Sequence, residues 1–170
     1  SSFLIRIKKR AIKNFSWKSS ASLSNLTELA YWFYIYDNET DALRVCEFLS
    51  QFQFAGNFNL WTWIELSLAL QSRLYRRSDR LKESANCMSR IRSAGFEKTR
   101  LEGTLFKNYE KNIQFAIKEN NKTGIRAWSF ALLTELCVLI ELGGHGKYPV
   151  DTLEARFSQT LGTLRKLMRA

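Results

Sequence analysis

Apolar residues recur along this chain at spacings of three, four and seven, the signature of helices that bury one face. Leu4, Ile7, Ala11 and Phe15 form a first stripe and predict a helix over 4–14, with Arg6, Lys8, Lys9, Arg10 and Lys13 around it. A serine-rich connection is expected over 19–24. Asn25 and Glu28 have capping-box spacing and would open a second helix, 25–36. That helix is apolar on two faces: Leu26, Ala30 and Phe33 share one, Leu29, Trp32 and Tyr36 the next. Such a helix belongs between others. After an Asp37-Asn38 turn, Ala42, Val45, Cys46, Leu49 and Phe52 predict a helix over 39–54, with Glu39 and Asp41 favourably placed in its first turn. Gly56 would cap its end.

A broad apolar face built on Leu60, Trp61, Ile64, Leu68 and Tyr75 predicts a helix over 58–77. Leu81, Ala85, Met88 and Ile91 predict another over 79–94, stopped by Gly95. Leu101, Leu105, Tyr109, Ile113 and Ala116 extend a sixth over 98–120, weakened near its start by Gly103 and ended by Asn120-Asn121. The segment 123–142 is apolar nearly all round and ends at Gly143-Gly144. Asp151 and Glu154 form a second capping-box pair before Leu153, Phe157, Leu161, Leu164 and Met168, a stripe of the kind that packs on another helix.

These elements describe an all-α fold of about eight helices packed as antiparallel hairpins, either a bundle or a short TPR- or HEAT-like array. The third, fifth and seventh helices start about 42 residues apart, a helix-hairpin period, but no TPR consensus is met. One domain, 1–170, is expected, with the basic stretch 1–20 at its periphery. A single proline in the chain, Pro149, fits long helices with short connections.

Charge adds a second pattern. The chain carries a formal +10, unevenly spread. Residues 1–20 hold six bases and no acid, 21–72 six acids against one base, and 73–100 nine bases against three acids. That dipolar distribution favours defined charged patches and fast capture of a partner. The acid-free, Ser-rich start has the composition of a transit peptide and lacks a secretory apolar core. The richest apolar run, 130–142, is too short and too charged to span a membrane, and is expected to be a buried central helix.

Catalytic chemistry finds few candidates. His145 is the only histidine, which excludes multi-histidine metal sites, and in its glycine-rich loop it reads as a surface residue. Gly146-Lys147 is not a P-loop: Glu141 stands where a glycine is required, and Tyr148 follows the lysine. Cys46, Cys87 and Cys137 fall on apolar faces without metal or disulfide spacing. Asp37, Glu39, Asp41 and Glu47 cluster, chiefly as helix-start residues; beside Tyr34 and Tyr36 they would make an acidic docking patch. No enzyme activity, cofactor or metal is expected.

Binding residues are easier to nominate. Tyr and Trp offer large contact area and Arg bidentate bonds, the types that dominate interface energies. Tyr34, Tyr36, Trp61 and Trp63 are candidate anchors. Arg73, Arg76, Arg77 and Arg80 are candidate charged contacts, which one continuous helix would present on one face. Packing in the core is the competing role for the tryptophans, and a solvated face for the arginines.

With residues 30–36, the run Asn57-Phe58-Asn59-Leu60-Trp61-Thr62-Trp63 and residues 140–149 in view, the chain resembles a family of bacterial helical proteins encoded near polymorphic toxins. The resemblance implies a cytoplasmic immunity protein that neutralises a cognate toxin by covering its active site. The alternative is a nucleic-acid-binding or regulatory helical protein using its basic segments. A homodimer through the second and fourth helices is left open.

Overall fold

A computed structural model describes residues 2–54, 56–96, 104–144 and 146–169, with the backbone alone at Thr104. Among them are eight helices: α1 (Ser2–Ile12), α2 (Ser20–Ile35), α3 (Glu39–Leu49), α4 (Phe58–Arg77), α5 (Leu81–Ala94), α6 (Thr104–Lys118), α7 (Lys122–Glu141) and α8 (Val150–Arg169). The all-α expectation holds. The expected start of the sixth helix, with Leu101 and Gly103, and His145 lie outside the described residues. The chain divides into two compact units, Ser1–Gly95 and Phe96–Ala170.

In the first unit, α2 and α4 lie side by side, and α3 packs on both. Their register can be read from side chains that reach across. Ser20 Oγ donates to the carbonyl of Asn59, Thr27 Oγ1 to that of Trp63, and Tyr31 Oη to that of Leu66. Arg73 Nε donates to Tyr34 Oη at 3.2 Å. Both members of these pairs advance along the chain together, so α2 and α4 run parallel and α3 is the return stroke between them. A helical carbonyl has a second lone pair beyond its ladder bond, which these hydroxyls use. Tyr31 is fully buried, and its bond at 2.7 Å anchors the middle of the pair.

Residues 64–75 of α4 are buried without a break, including Glu65, Ser67, Gln71, Ser72 and Arg73. Such polar groups persist in a core when they find partners. Trp61 Nε1 donates to Glu65 one turn on. Gln71 meets Tyr75, and Ser72 meets Ser84 of α5 at 2.8 Å. This last bond explains a rotation of α5 against expectation. Its buried face is Ser84, Cys87, Met88 and Ile91, while Leu81 and Ala85 are exposed.

Helix ends differ from the sequence expectation where local polar chemistry competes. The serines taken as a connection form the first turns of α2, because Ser19, not Asn25, is its N-cap and accepts from the Ser22 N–H. Asn38 caps α3, and Asn57 caps α4. Gly95 ends α5 in the left-handed region, as expected of a C-cap glycine.

In the second unit α7 packs against α6 and α8. Residues 132–140 of α7 are buried throughout, with Leu133, Leu136 and Leu139 fully so. By length and composition α7 is apolar enough to cross a membrane; 56% of its apolar window is buried inside the molecule. Asp151 lies inside the first turn of α8, where it complements the helix dipole, so it is not the cap expected. The three cysteines are buried.

Removing the Tyr34 hydroxyl takes an acceptor from the buried Arg73. Tyr34→Phe is therefore expected to cost about 1.5–3 kcal/mol in urea unfolding, the range for a hydrogen bond to a charged group.

Candidate partner-binding surface

The nominated aromatic and arginine residues do not share a surface. Tyr34 is 2% exposed, and Trp61 and Arg73 are each 4% exposed. This corrects their assignment as accessible anchors and contacts: their bulk fills the core of the first unit, and their polar atoms serve the bonds described above. Trp63 is half-buried with its Nε1 donating to Ser20 Oγ. Tyr36 is half-buried beside Trp32 at the end of α2. Arg76 and Arg77 are exposed in the last turn of α4, complementing its dipole. Arg80 cannot continue their face, because the helix stops at Arg77 and Asp79 takes φ of 60°. It folds back over the Tyr75 ring, 4.4 Å from the centroid, and pairs with Glu83 at 2.6 Å. That pair holds the Glu83 carboxyl below its ordinary value.

The exposed aromatic surface lies elsewhere, where the expected third helix ends early. Helix α3 stops at Leu49 because nearby side chains take its last carbonyls. Ser50 Oγ donates to Glu47 O, and Gln51 Nε2 to Phe48 O. The Arg90 guanidinium, from α5, donates to Ser50 O and Phe52 O. These bonds fix residues 50–54 as a non-helical segment carrying Phe52 and Phe54. Phe52, expected on the core stripe of a longer helix, instead joins a surface cluster. It lies 5.4 Å from Phe48, 6.3 Å from Phe15 and 6.4 Å from both Trp17 and Phe54. Trp17 is 48% exposed and Phe48 42% exposed. Aromatic pairs of this geometry contribute about 0.5–1.5 kcal/mol each beyond area burial.

Beside the cluster runs a groove of about 340 Å³ between α1, α2 and α3. Buried Ala11 and Leu26 line it together with Ile12, Phe15, Val45 and Phe48; Arg44 is its one charged lining residue among those described. Ile12 is 62% exposed. Lys8 and Lys9 precede Ile12 by four and three residues on α1, so they stand one turn along the same side. Lys18 lies 5.1 Å from the Trp17 ring. Helix α1 is held on α2 by the Phe3–Trp32 contact and by the Arg10–Glu28 pair at 3.1 Å. Burial raises the Glu28 carboxyl above its ordinary 4.5, and Arg10 pulls it partway back.

A larger concavity, about 410 Å³, lies in the second unit, where Glu110 of α6 pairs with Arg156 of α8. Its principal charges are thus committed to each other. Among the described residues no group of three His, Cys, Asp or Glu side chains is placed to hold a metal.

A family model described as a family of unknown function, DUF6707, matches residues 2–166. The chain belongs to that family. No curated protein and no solved structure matches it. The DUF6707 match spans both compact units, and so includes the whole aromatic surface and groove.

Sequence reasoning missed this site because Phe15, Trp17 and Phe48 sit at helix ends and in a connection, where periodicity carries little information. The signal available was an excess of large aromatics in segments that a core stripe does not need.

Two tests follow from this geometry. Trp61→Ala should cost about 3–5 kcal/mol in denaturant unfolding, as expected for a buried aromatic, whereas Ile12→Glu, at an exposed position, should change stability by less than about 0.5 kcal/mol. Because the Glu28 pKa is raised in the fold, its ionised form opposes folding as pH climbs from 4.5 through the folded value. Glu28→Gln should then raise the melting temperature at pH 7 relative to the parent, and the gain should vanish near pH 4.

Proposed function

We propose that this chain is a non-enzymatic protein-binding module, acting in the bacterial cytoplasm as an immunity protein that covers the active site of a cognate toxin. The observation that carries the reading is the aromatic cluster of exposed Trp17 and Phe48 with half-buried Phe15 and Phe52, beside an apolar groove and edged by bases. Contiguous exposed apolar area is uncommon on monomers and marks interaction sites. Trp and other aromatics at the centre, with cations at the rim, are the composition of an energetic interface. The rim charge would accelerate capture of an acidic partner.

The resemblance to toxin-associated helical proteins supplies the kind of partner. Membership of the DUF6707 family adds no activity to that reading. Of the residues first nominated, Arg76, Arg77 and Arg80 are exposed and would serve as secondary contacts. Binding of nucleic acid to the basic segments is the competing outcome.

The test is a pull-down of the tagged chain from its native cell, with and without nuclease, read by mass spectrometry. A stoichiometric protein partner that survives nuclease is expected, with capture reduced about tenfold or more by Phe48→Ser, a loss typical of removing an interface anchor. Recovery of nucleic acid, with proteins lost on nuclease treatment, overturns the proposal.

A further inference from the structure

The groove between α1 and α3 is specific about what fits it. Its floor is Ala11 and Leu26, its walls are Ile12, Phe15, Val45 and Phe48, and Arg44 alone brings a side-chain hydrogen-bond donor among the described lining residues. An extended peptide laid there would leave its backbone N–H and C=O groups facing apolar side chains, at a cost of the order of a lost hydrogen bond for each. A helix satisfies its own backbone and offers only side chains, spaced to enter a groove at i, i+3 or i+4, and i+7. The recessed floor also disfavours a flat occupant such as a bilayer surface.

Charge narrows the choice. Lys8, Lys9, Lys13 and Lys18 are exposed around α1 and the connection after it. Of the acids on the neighbouring elements, Glu28 pairs with Arg10 and Asp41 with Arg44 at 3.4 Å, while Glu39 is exposed in the first turn of α3. Glu47, on α3, acts on Tyr75 and Arg80, toward the α4–α5 side. The α1 side of the groove is therefore basic, and Arg44 is the cation among its described lining residues on α3. A second copy of this chain, itself +10, would approach against like charge.

We propose that the groove receives one amphipathic helix of a protein partner, with large apolar residues on the inserted face and Asp or Glu on its flanks. This rests on the protein-binding reading above and specifies the partner segment. Insertion would place the helix's apolar residues against Ile12, Val45 and Phe48, and its acids against Lys8, Lys9 and Arg44.

The probe is a synthetic peptide of about 18 residues, ~27 Å as a helix, with Leu and Phe on one face and Glu on the other. An otherwise identical peptide with Lys for Glu, and phosphatidylserine-containing vesicles, are the controls. Titration of the full chain, followed by NMR shifts, is expected to give micromolar binding of the Glu peptide centred on Ala11, Ile12 and Val45. Ile12→Glu and Arg44→Glu should each weaken it about tenfold or more, with the helical circular dichroism spectrum unchanged. Equal binding of the Lys peptide, no effect of Ile12→Glu, or binding of vesicles without the Glu peptide overturns the proposal. If the Glu peptide fails while the pull-down still yields a protein partner that Ile12→Glu retains, the groove assignment falls and the protein-binding reading stands. If the peptide binds as expected but only nucleic acid is recovered from cells, the reverse holds.

Discussion

The parallel register of α2 and α4 is the constraint on which the first unit depends. Three hydroxyl-bearing side chains of α2 bond to carbonyls of α4, and Tyr34 receives Arg73 one step further on. Apolar packing alone tolerates sliding by a turn, because one leucine replaces another at little cost. A hydroxyl aimed at one particular carbonyl does not. A slip would leave Tyr31 and Arg73 buried without these partners, so polar bonds inside the core select the register that apolar contacts fill.

That register has a geometric result for the surface. Two parallel helices need a return element, and α3 supplies it in eleven residues. It is shorter than either neighbour, so chain remains between its end and the start of α4. Residues 50–54 of that remainder run outside helical structure and carry Phe52 and Phe54 to the side where the α1–α2 connection brings Phe15 and Trp17. The aromatic surface is thus assembled from the leftover chain at helix ends, while the helices themselves hold it still. Arg90 completes the arrangement by satisfying two carbonyls of that segment from α5.

Much of the fold was legible in the sequence. The 3.6-residue stripes located the eight helices seen among the described residues, and the burial of α2 on two faces followed from its two apolar stripes. The errors came where side chains compete with the backbone. Ser19 caps α2 through the Ser22 N–H, six residues before the cap expected at Asn25, and Ser50 and Gln51 ended α3 five residues short of expectation. Pairing across the core was not legible, because a stripe says which residues are inside and nothing about which atoms they meet. For that reason Trp61 reads as either a surface anchor or core, and Tyr34 and Arg73 read as surface contacts. The groove was invisible for a related reason: it is made by the meeting of three helices, and no local pattern encodes a meeting.

Arg90 joins two parts of the first unit that sequence keeps 38 or more positions apart. Its guanidinium is partly buried, and desolvation there lowers its pKa. Five donors in a rigid fork let one residue hold two carbonyls at once, which the single ammonium of lysine does with much less directional control. The segment carrying Phe52 and Phe54 is therefore stiffened from behind, by a residue outside the aromatic cluster. On the proposed reading of that surface, less conformational freedom would be left to lose on association, so the entropic penalty would be met largely during folding.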